Sequence, residues 1–354
     1  MKLPVHASIV LVLFVGAACL AQGAAPVPAD KPASANAESI LTLAAVSTVT
    51  VHSEPTSMFT DPMRCDGDGN LYLRPFRAEL GLAAPVKKFD SNGKLVATFA
   101  VDSVPNLKVL AIPYFAVTAS GEVYELIAAD KDPYMHVAVF GKDGSYKSNI
   151  KLDALVHGSQ LAVFPSGELL LSGIEQTESS PRPPFVGIFK DDGTLTKRLS
   201  LEDDKRIQAA VERGDFSVSD PTRPGSNLAV SLGQAAAGED GNIYVMRRTT
   251  PAVLYGISPA GAVVRRVEVG SPDPEMMPTT LHASANRLLV MFRNENTKEQ
   301  LLKVIDMGSG DLTAQYRTNS LGAALACYLA NDNRFVFMTN TKDRKMAFNI
   351  AEAR

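Results

Sequence analysis

The sequence predicts an all-β chain, a six-bladed β-propeller of four-stranded antiparallel blades whose ring is closed by an N-terminal strand in the last blade. Three observations predict it. Two turn-and-strand signatures alternate along the chain, glycines inside them keep a near-constant spacing, and many of the strands are apolar on both faces.

The first signature is a turn followed by a short apolar strand. It stands as DGDGNLYL ending at Leu73, TASGEVYEL ending at Leu126, FPSGELLL ending at Leu171 and GEDGNIYVM ending at Met246. Weaker copies are SANRLLVMF ending at Phe292 and ANDNRFVFM ending at Met338. The second signature is a strand, a turn and a strand: VKKFDSNGKLVATF, VAVFGKDGSYKSNI, VGIFKDDGTLTKRL, VLYGISPAGAVVRRV and LKVIDMGSGDLTAQY. Asp, Asn or Ser before Gly supplies the positive φ of a tight hairpin turn, and the flanking β-branched and aromatic residues favour strands.

The spacing follows from the glycines. Gly69, Gly121, Gly167 and Gly241 share one register, with Asn286 and Asn333 expected in the same slot, at gaps of 52, 46, 74, 45 and 47 residues. Gly93, Gly144, Gly193, Gly261 and Gly310 form the second series, at gaps of 51, 49, 68 and 49. Four strands per 45–50 residues is propeller spacing. Both series share one long gap, so one insertion explains both. It falls at about 202–228 and contains EDDKRIQAAVERG, a helical pattern, with no Gly-turn strand pair to make a seventh blade. The last unit supplies only about three strands, at 324–329, 335–339 and 346–350. STVTVH at 47–52 is the expected fourth, closing the ring without a free edge.

The ends bound the compartment. Lys2, the apolar run from Ser8 to Ala21 and the Ala21-Gln22-Gly23 site read as an export signal over 1–23. Residues 24–40 are rich in Ala, Pro and Ser and read as a flexible linker, leaving 41–354 as the propeller. The expected location is periplasmic or extracellular. The rival is a lipoprotein anchored at Cys19, although Gly16 stands where a lipobox places Leu. No other apolar run approaches spanning length. Hydrophobic residues make up 45% of the chain, enough for a large core, and the formal net charge of −3 leaves no electrostatic footprint for nucleic acid.

The run Asp61-Pro62-Met63-Arg64-Cys65-Asp66-Gly67-Asp68-Gly69-Asn70-Leu71-Tyr72 resembles the repeat of NHL-type six-bladed propellers, and Glu239-Asp240-Gly241-Asn242-Ile243-Tyr244-Val245 is similar. The resemblance implies a six-bladed ring over about 60–350. The Asp that such repeats place just after the Tyr strand is missing, and Arg74, Glu125, Ser172 and Arg247 stand near it instead.

Propellers carry function at a channel mouth. The expected mouth is formed by loops joining second to third strands and blade to blade, with the insertion as a rim or lid. Arg74, Arg77, Arg182, Arg247, Arg248 and Arg293 fall there, and converging arginines grip carboxylates or phosphates. The ligand-binding candidates are Arg74, Arg77, Asp130, His136, His157, Arg247 and Arg293; the alternative is separate solvated side chains on loop tips. No zinc spacing, calcium loop, nucleophile elbow or phosphate loop occurs, so no metal and no cofactor are expected. Cys65 and Cys327 lie in innermost strands of neighbouring blades. Such strands lie apart, which favours buried free thiols, with a disulfide as the alternative that export allows.

The function read from these residues is a monomeric binding module holding a protein, peptide or small molecule at the channel mouth. A propeller hydrolase, lactonase-like or glycan-cleaving, is the alternative. It requires Glu125, Asp130, His136, His157 and Glu295 to converge. An envelope scaffold lipoprotein is a further alternative.

Overall fold

The computed structural model describes residues 31–32, 39–51, 59–75, 83–178, 184–201, 232–322, 324–343 and 345–354. The expected signal segment, Cys19, Arg77, Arg182 and the insertion at 202–228 lie outside the described residues.

The chain is an all-β propeller of four-stranded antiparallel blades. Strands β1 (Lys31–Pro32) and β2 (Ile40–Thr50) come first. One sheet follows as β3 (Phe59–Cys65), β4 (Leu71–Pro75), β5 (Val86–Phe89) and β6 (Leu95–Phe99), paired in that order. The next holds β7 (Val109–Val117), β8 (Val123–Ala129), β9 (Met135–Phe140) and β10 (Tyr146–Lys151). The third holds β11 (Val156–Val163), β12 (Leu169–Glu175), β13 (Pro184–Phe189) and β14 (Leu195–Arg198). The fourth holds β15 (Leu232–Ala237), β16 (Ile243–Arg247), β17 (Ala252–Ile257) and β18 (Val263–Val269), with β1 added in parallel along β18.

The remaining strands are β19 (Met276–Ser284), β20 (Arg287–Asn294), β21 (Gln300–Asp306), β22 (Leu312–Thr318), β23 (Ala324–Leu329), β24 (Arg334–Asn340) and β25 (Met346–Ala353). They join with β2 into one eight-stranded sheet, ordered β19-β20-β21-β22-β2-β25-β24-β23. The start of β2 pairs in parallel with β22, from Ile40 opposite Gln315 to Thr42 opposite Arg317. The rest pairs antiparallel with β25, from Leu43 opposite Ala353 to Thr50 opposite Ala347. The strand expected at 47–52 is therefore longer and begins earlier, because its first residues find a second partner edge.

The first strands of the sheets are neighbours in a cycle: β3 lies beside β7, β7 beside β11, β11 beside β15, β15 beside β19, β19 beside β23 and β23 beside β3. Second strands carry the core. All of β4 and β16 are buried, as is Leu169–Gly173 in β12, because a neighbouring sheet covers each face. Outer strands such as β10 and β14 are mostly exposed. Apolar clusters fill the space between successive sheets. The one holding Met63, Leu73 and Phe89 also holds Ala326, Val336 and Phe348, so it joins the β3–β6 sheet to the end of the eight-stranded sheet.

At that seam Cys65 and Cys327 form a disulfide with Cα atoms 5.5 Å apart. This replaces the free thiols that strand spacing leads one to expect. Sheets fan outward from the channel, so of the strands in these two sheets the inner pair β3 and β23 adjoin and bring the two backbones within bonding reach.

The glycine series have a physical basis. In the first series Gly69, Gly121, Gly167 and Gly241 all have positive φ, and Asn333 takes the slot at φ 47°. In the copy at 284–287 the left-handed residue is Ala285, not the expected Asn286, because this turn closes between Ser284 and Arg287 with two residues. The second series presses against the preceding sheet. At Gly193, φ is +90° and an added Cβ would sit 2.0 Å from the Lys151 carbonyl oxygen on β10. At Gly93 it would sit 2.8 Å from the Thr50 carbonyl oxygen, so β2 stands to this turn as the outer strand of a preceding sheet. No helix among the described residues is long and apolar enough to cross a membrane.

Candidate functional site

The inner strands run so that their C-terminal ends meet at one end of the channel. The ends of β3, β7, β11, β15, β19 and β23, with the turns that follow them, surround a cavity of about 650 Å3. That is within the ordinary size range of small-ligand pockets. It opens at the end opposite the expected mouth, on the side of the turns between first and second strands. Alanines are prominent in its lining. Counting five residues back from Gly69, Gly121, Gly167 and Gly241 gives Arg64, Ala116, Ala162 and Ala236, and all four line the cavity. They pair with Tyr72, Tyr124, Leu170 and Tyr244, so they occupy the same position in four sheets. Three sheets place a methyl group there and the first places a guanidinium.

Arg64 donates from Nη1 to the Met63 carbonyl at 2.9 Å and from Nη2 to the Tyr114 hydroxyl. Its guanidinium carbon lies 5.2 Å from the Tyr114 ring centroid, a cation–π contact. Among the described residues it meets no carboxylate. The cavity's acidic groups are engaged elsewhere. Asp66 accepts from the Tyr72 hydroxyl at 2.9 Å, from Asn70 Nδ2 at 2.8 Å and from Lys88 at 3.2 Å. Burial opposes its ionisation, yet the Asn70 and Tyr72 hydrogen bonds and the Lys88 charge outweigh this and hold it below the usual carboxylate range. Glu122 is paired with Lys147, and Glu239 Oε1 accepts the Ala285 N–H at 2.9 Å.

His282 on β19 also lines the cavity and is 6% exposed. Its Nε2 lies 3.3 Å from the Leu325 carbonyl oxygen. Burial, reinforced by the Arg64 charge, pushes its pKa down to about 4. The imidazole is therefore neutral at pH 7. Donation from Nε2 to Leu325 leaves Nδ1 as an acceptor.

None of the described ligand-binding or hydrolase candidates lines this cavity. Arg74 is buried and donates to the Ile112 carbonyl on β7. Arg247 is buried, donates to the Leu201 carbonyl at 2.7 Å and to the Tyr255 hydroxyl at 3.0 Å, and stacks 5.1 Å from that ring. Both act as struts between neighbouring sheets. Arg248 donates to the Thr279 carbonyl, and Arg293 lies 3.5 Å from Glu295. Asp130 pairs with Lys108 at 2.9 Å, and His157 is exposed at the start of β11. His136 lies on β9 between Asp132, at 3.1 Å, and Asn149, at 3.1 Å. Asp132 itself is held well below the usual range, chiefly by the Lys151 hydrogen bond. Glu125 on β8 is fully buried, and burial pushes its pKa up to about 8 against the opposing influence of the Val86 backbone hydrogen bond and the Arg74 charge. Among the described residues no group of three or more His, Cys, Asp or Glu side chains is placed to hold a metal ion.

Sequence reasoning missed Arg64 and His282 as site residues. The signal for Arg64 was present, since the repeats put alanine at its position elsewhere.

No family model and no curated protein matches the chain. Among solved structures, it is similar to virginiamycin B lyase from Staphylococcus aureus at 14% identity, over 87% of this chain and 88% of that one, with a TM-score of 0.41. It is similar to the WD40 domain of Neurospora crassa Pan2 at 11% identity, over 86% and 81%, with a TM-score of 0.44. For the Dos1 propeller the figures are 11% identity, 81% and 76% coverage, and a TM-score of 0.42. At these values the likenesses carry no functional weight, and the fold assignment rests on the sheets themselves.

Proposed function

We propose that this chain is an exported, six-bladed propeller with an NHL-like repeat, and that it acts as a binding module for a small ligand. The cycle of inner strands supports the blade count. So do the cluster and disulfide linking β3–β6 to β23–β25, with β2 serving as the fourth strand beside β25. The export signal over 1–23 and the disulfide together favour a periplasmic or extracellular setting.

The observation that carries the binding reading is the cavity. Every inner strand ends at it, and alanines from several of them line it. The hydrolase alternative would draw on Asp130, His136 and His157, each of which has its own local setting away from the cavity. A scaffold role would depend on Cys19.

Filling the cavity tests the reading. Ala236→Leu and Ala283→Leu each add three carbons to the wall at half-buried positions. Both variants are expected to keep the wild-type circular dichroism spectrum and to lose at least tenfold in affinity for any small molecule that raises the melting temperature of the wild type. Undiminished binding in both would remove the cavity as the site.

A further inference from the structure

We infer that Arg64 is the anion anchor of the cavity and that the ligand is a small, singly charged carboxylate with an apolar body, its carboxylate seated on the guanidinium. This inference rests on the cavity being the ligand site and adds the ligand's chemistry.

The first support is a difference in partnering. Asp66, Glu122 and Glu239 around the cavity each have a cation or an N–H donor of their own. Arg64 meets only a carbonyl and a phenol among the described residues. A guanidinium has five N–H donors in its plane, and two are used here, so three remain for a carboxylate. The second is position. Where three other sheets place alanine, this one places the residue best suited to bidentate carboxylate recognition. The third is the lining. Ala116, Ala162, Ala236 and Ala283 offer methyl groups, which suit an apolar body.

The charge pattern selects the class of anion. One guanidinium matches one negative charge. A phosphate dianion would pass Asp66, Glu122 and Glu239 on the way in and would find one cation to receive it. His282, neutral and with its Nδ1 left as an acceptor, offers no second positive charge at pH 7.

The experiment uses hexanoate, octanoate and 4-phenylbutyrate, each beside its own amide, with binding measured by calorimetry on the mature chain. For at least one pair the carboxylate should bind the wild type ten- to a hundredfold more tightly than the amide, as expected for charge-assisted hydrogen bonds. Arg64→Met should erase that preference, weakening the carboxylate far more than the amide, and Arg64→Lys should restore part of it. A second readout needs no variant. In wild type, the carboxylate should screen Arg64 and raise the NMR-measured pKa of His282 from about 4, and the amide should not.

Equal binding of carboxylate and amide, or a preference that survives Arg64→Met, overturns the anchor and leaves the cavity as a site for neutral ligands. If no carboxylate and no amide binds the wild type, the cavity reading falls and the anchor falls with it.

Discussion

Arg64 and Arg247 both sit at strand ends inside the ring, yet at opposite ends of it. Arg247 ends β16 with its donors spent on the Leu201 carbonyl and the Tyr255 hydroxyl, fully enclosed between two sheets. Arg64 stands one residue before the end of β3, half-buried, and faces a cavity. The difference lies in the surroundings. At the Arg247 end, large side chains and backbone acceptors close over the guanidinium and turn it into a strut. At the Arg64 end the Tyr114 ring covers one face of the guanidinium, and alanines of three other inner strands line the cavity beside it. Residue type alone therefore identifies neither strut nor anchor; the volume opposite the side chain does.

Three changes would sharpen or break this contrast. The largest effect is expected at the seam beside Arg64, where Cys65–Cys327 spans 262 residues of sequence. Chain-entropy reasoning gives a bond closing so long a loop about 5 to 6 kcal/mol of stability. Reduction should lower the denaturation midpoint accordingly in urea titrations with and without reductant. An unchanged midpoint would mean that packing alone holds the seam.

The next concerns the enclosed part of the molecule. Glu125 has its pKa raised from 4.5 to about 8. The folded state therefore holds a proton that the unfolded state releases, and stability falls as pH rises from about 4.5 to about 8. At about 1.4 kcal/mol per pH unit, the loss across that window is a few kcal/mol. Glu125→Gln should flatten this part of the stability–pH curve. If the wild-type curve already lacks the slope, Glu125 is ionised within the fold.

The smallest stability effect separates the two arginines directly. Arg247→Met strands a buried carbonyl and hydroxyl and should cost about 2 kcal/mol. Arg64→Met removes a half-buried group that bonds its own neighbour's carbonyl and the Tyr114 hydroxyl, and should cost about 1 kcal/mol, less than Arg247→Met. Comparable losses in urea denaturation would erase the distinction between strut and anchor.

Much of this fold is legible in the sequence because hairpin turns need positive φ and glycine supplies it. Gly69 through Gly310 therefore mark their turns one by one. The copy at 284–287 escapes that logic, since a two-residue turn moves the left-handed position onto Ala285. The start of β2 at Ile40 is also hidden, because its pairing with β22 is a tertiary choice that no local pattern encodes. The disulfide depends on how closely inner strands approach, which spacing along the chain does not report. The cavity was the hardest feature to foresee. Its end of the channel is set by the summed volume of side chains from all the inner strands, and loops rich in arginine drew attention to the other end. Lining up Arg64 with Ala116, Ala162 and Ala236 would have pointed to it.

The central claim is that ligand binding belongs to the Arg64 end. The most direct measurement is calorimetric titration of the tightest of the three carboxylates into wild type, Arg64→Met and Arg247→Met, below the melting temperature of each. The expected result is wild-type affinity in Arg247→Met and a loss of at least tenfold in Arg64→Met. Retained binding in Arg64→Met with loss in a folded Arg247→Met would place the site at the opposite end and contradict the account.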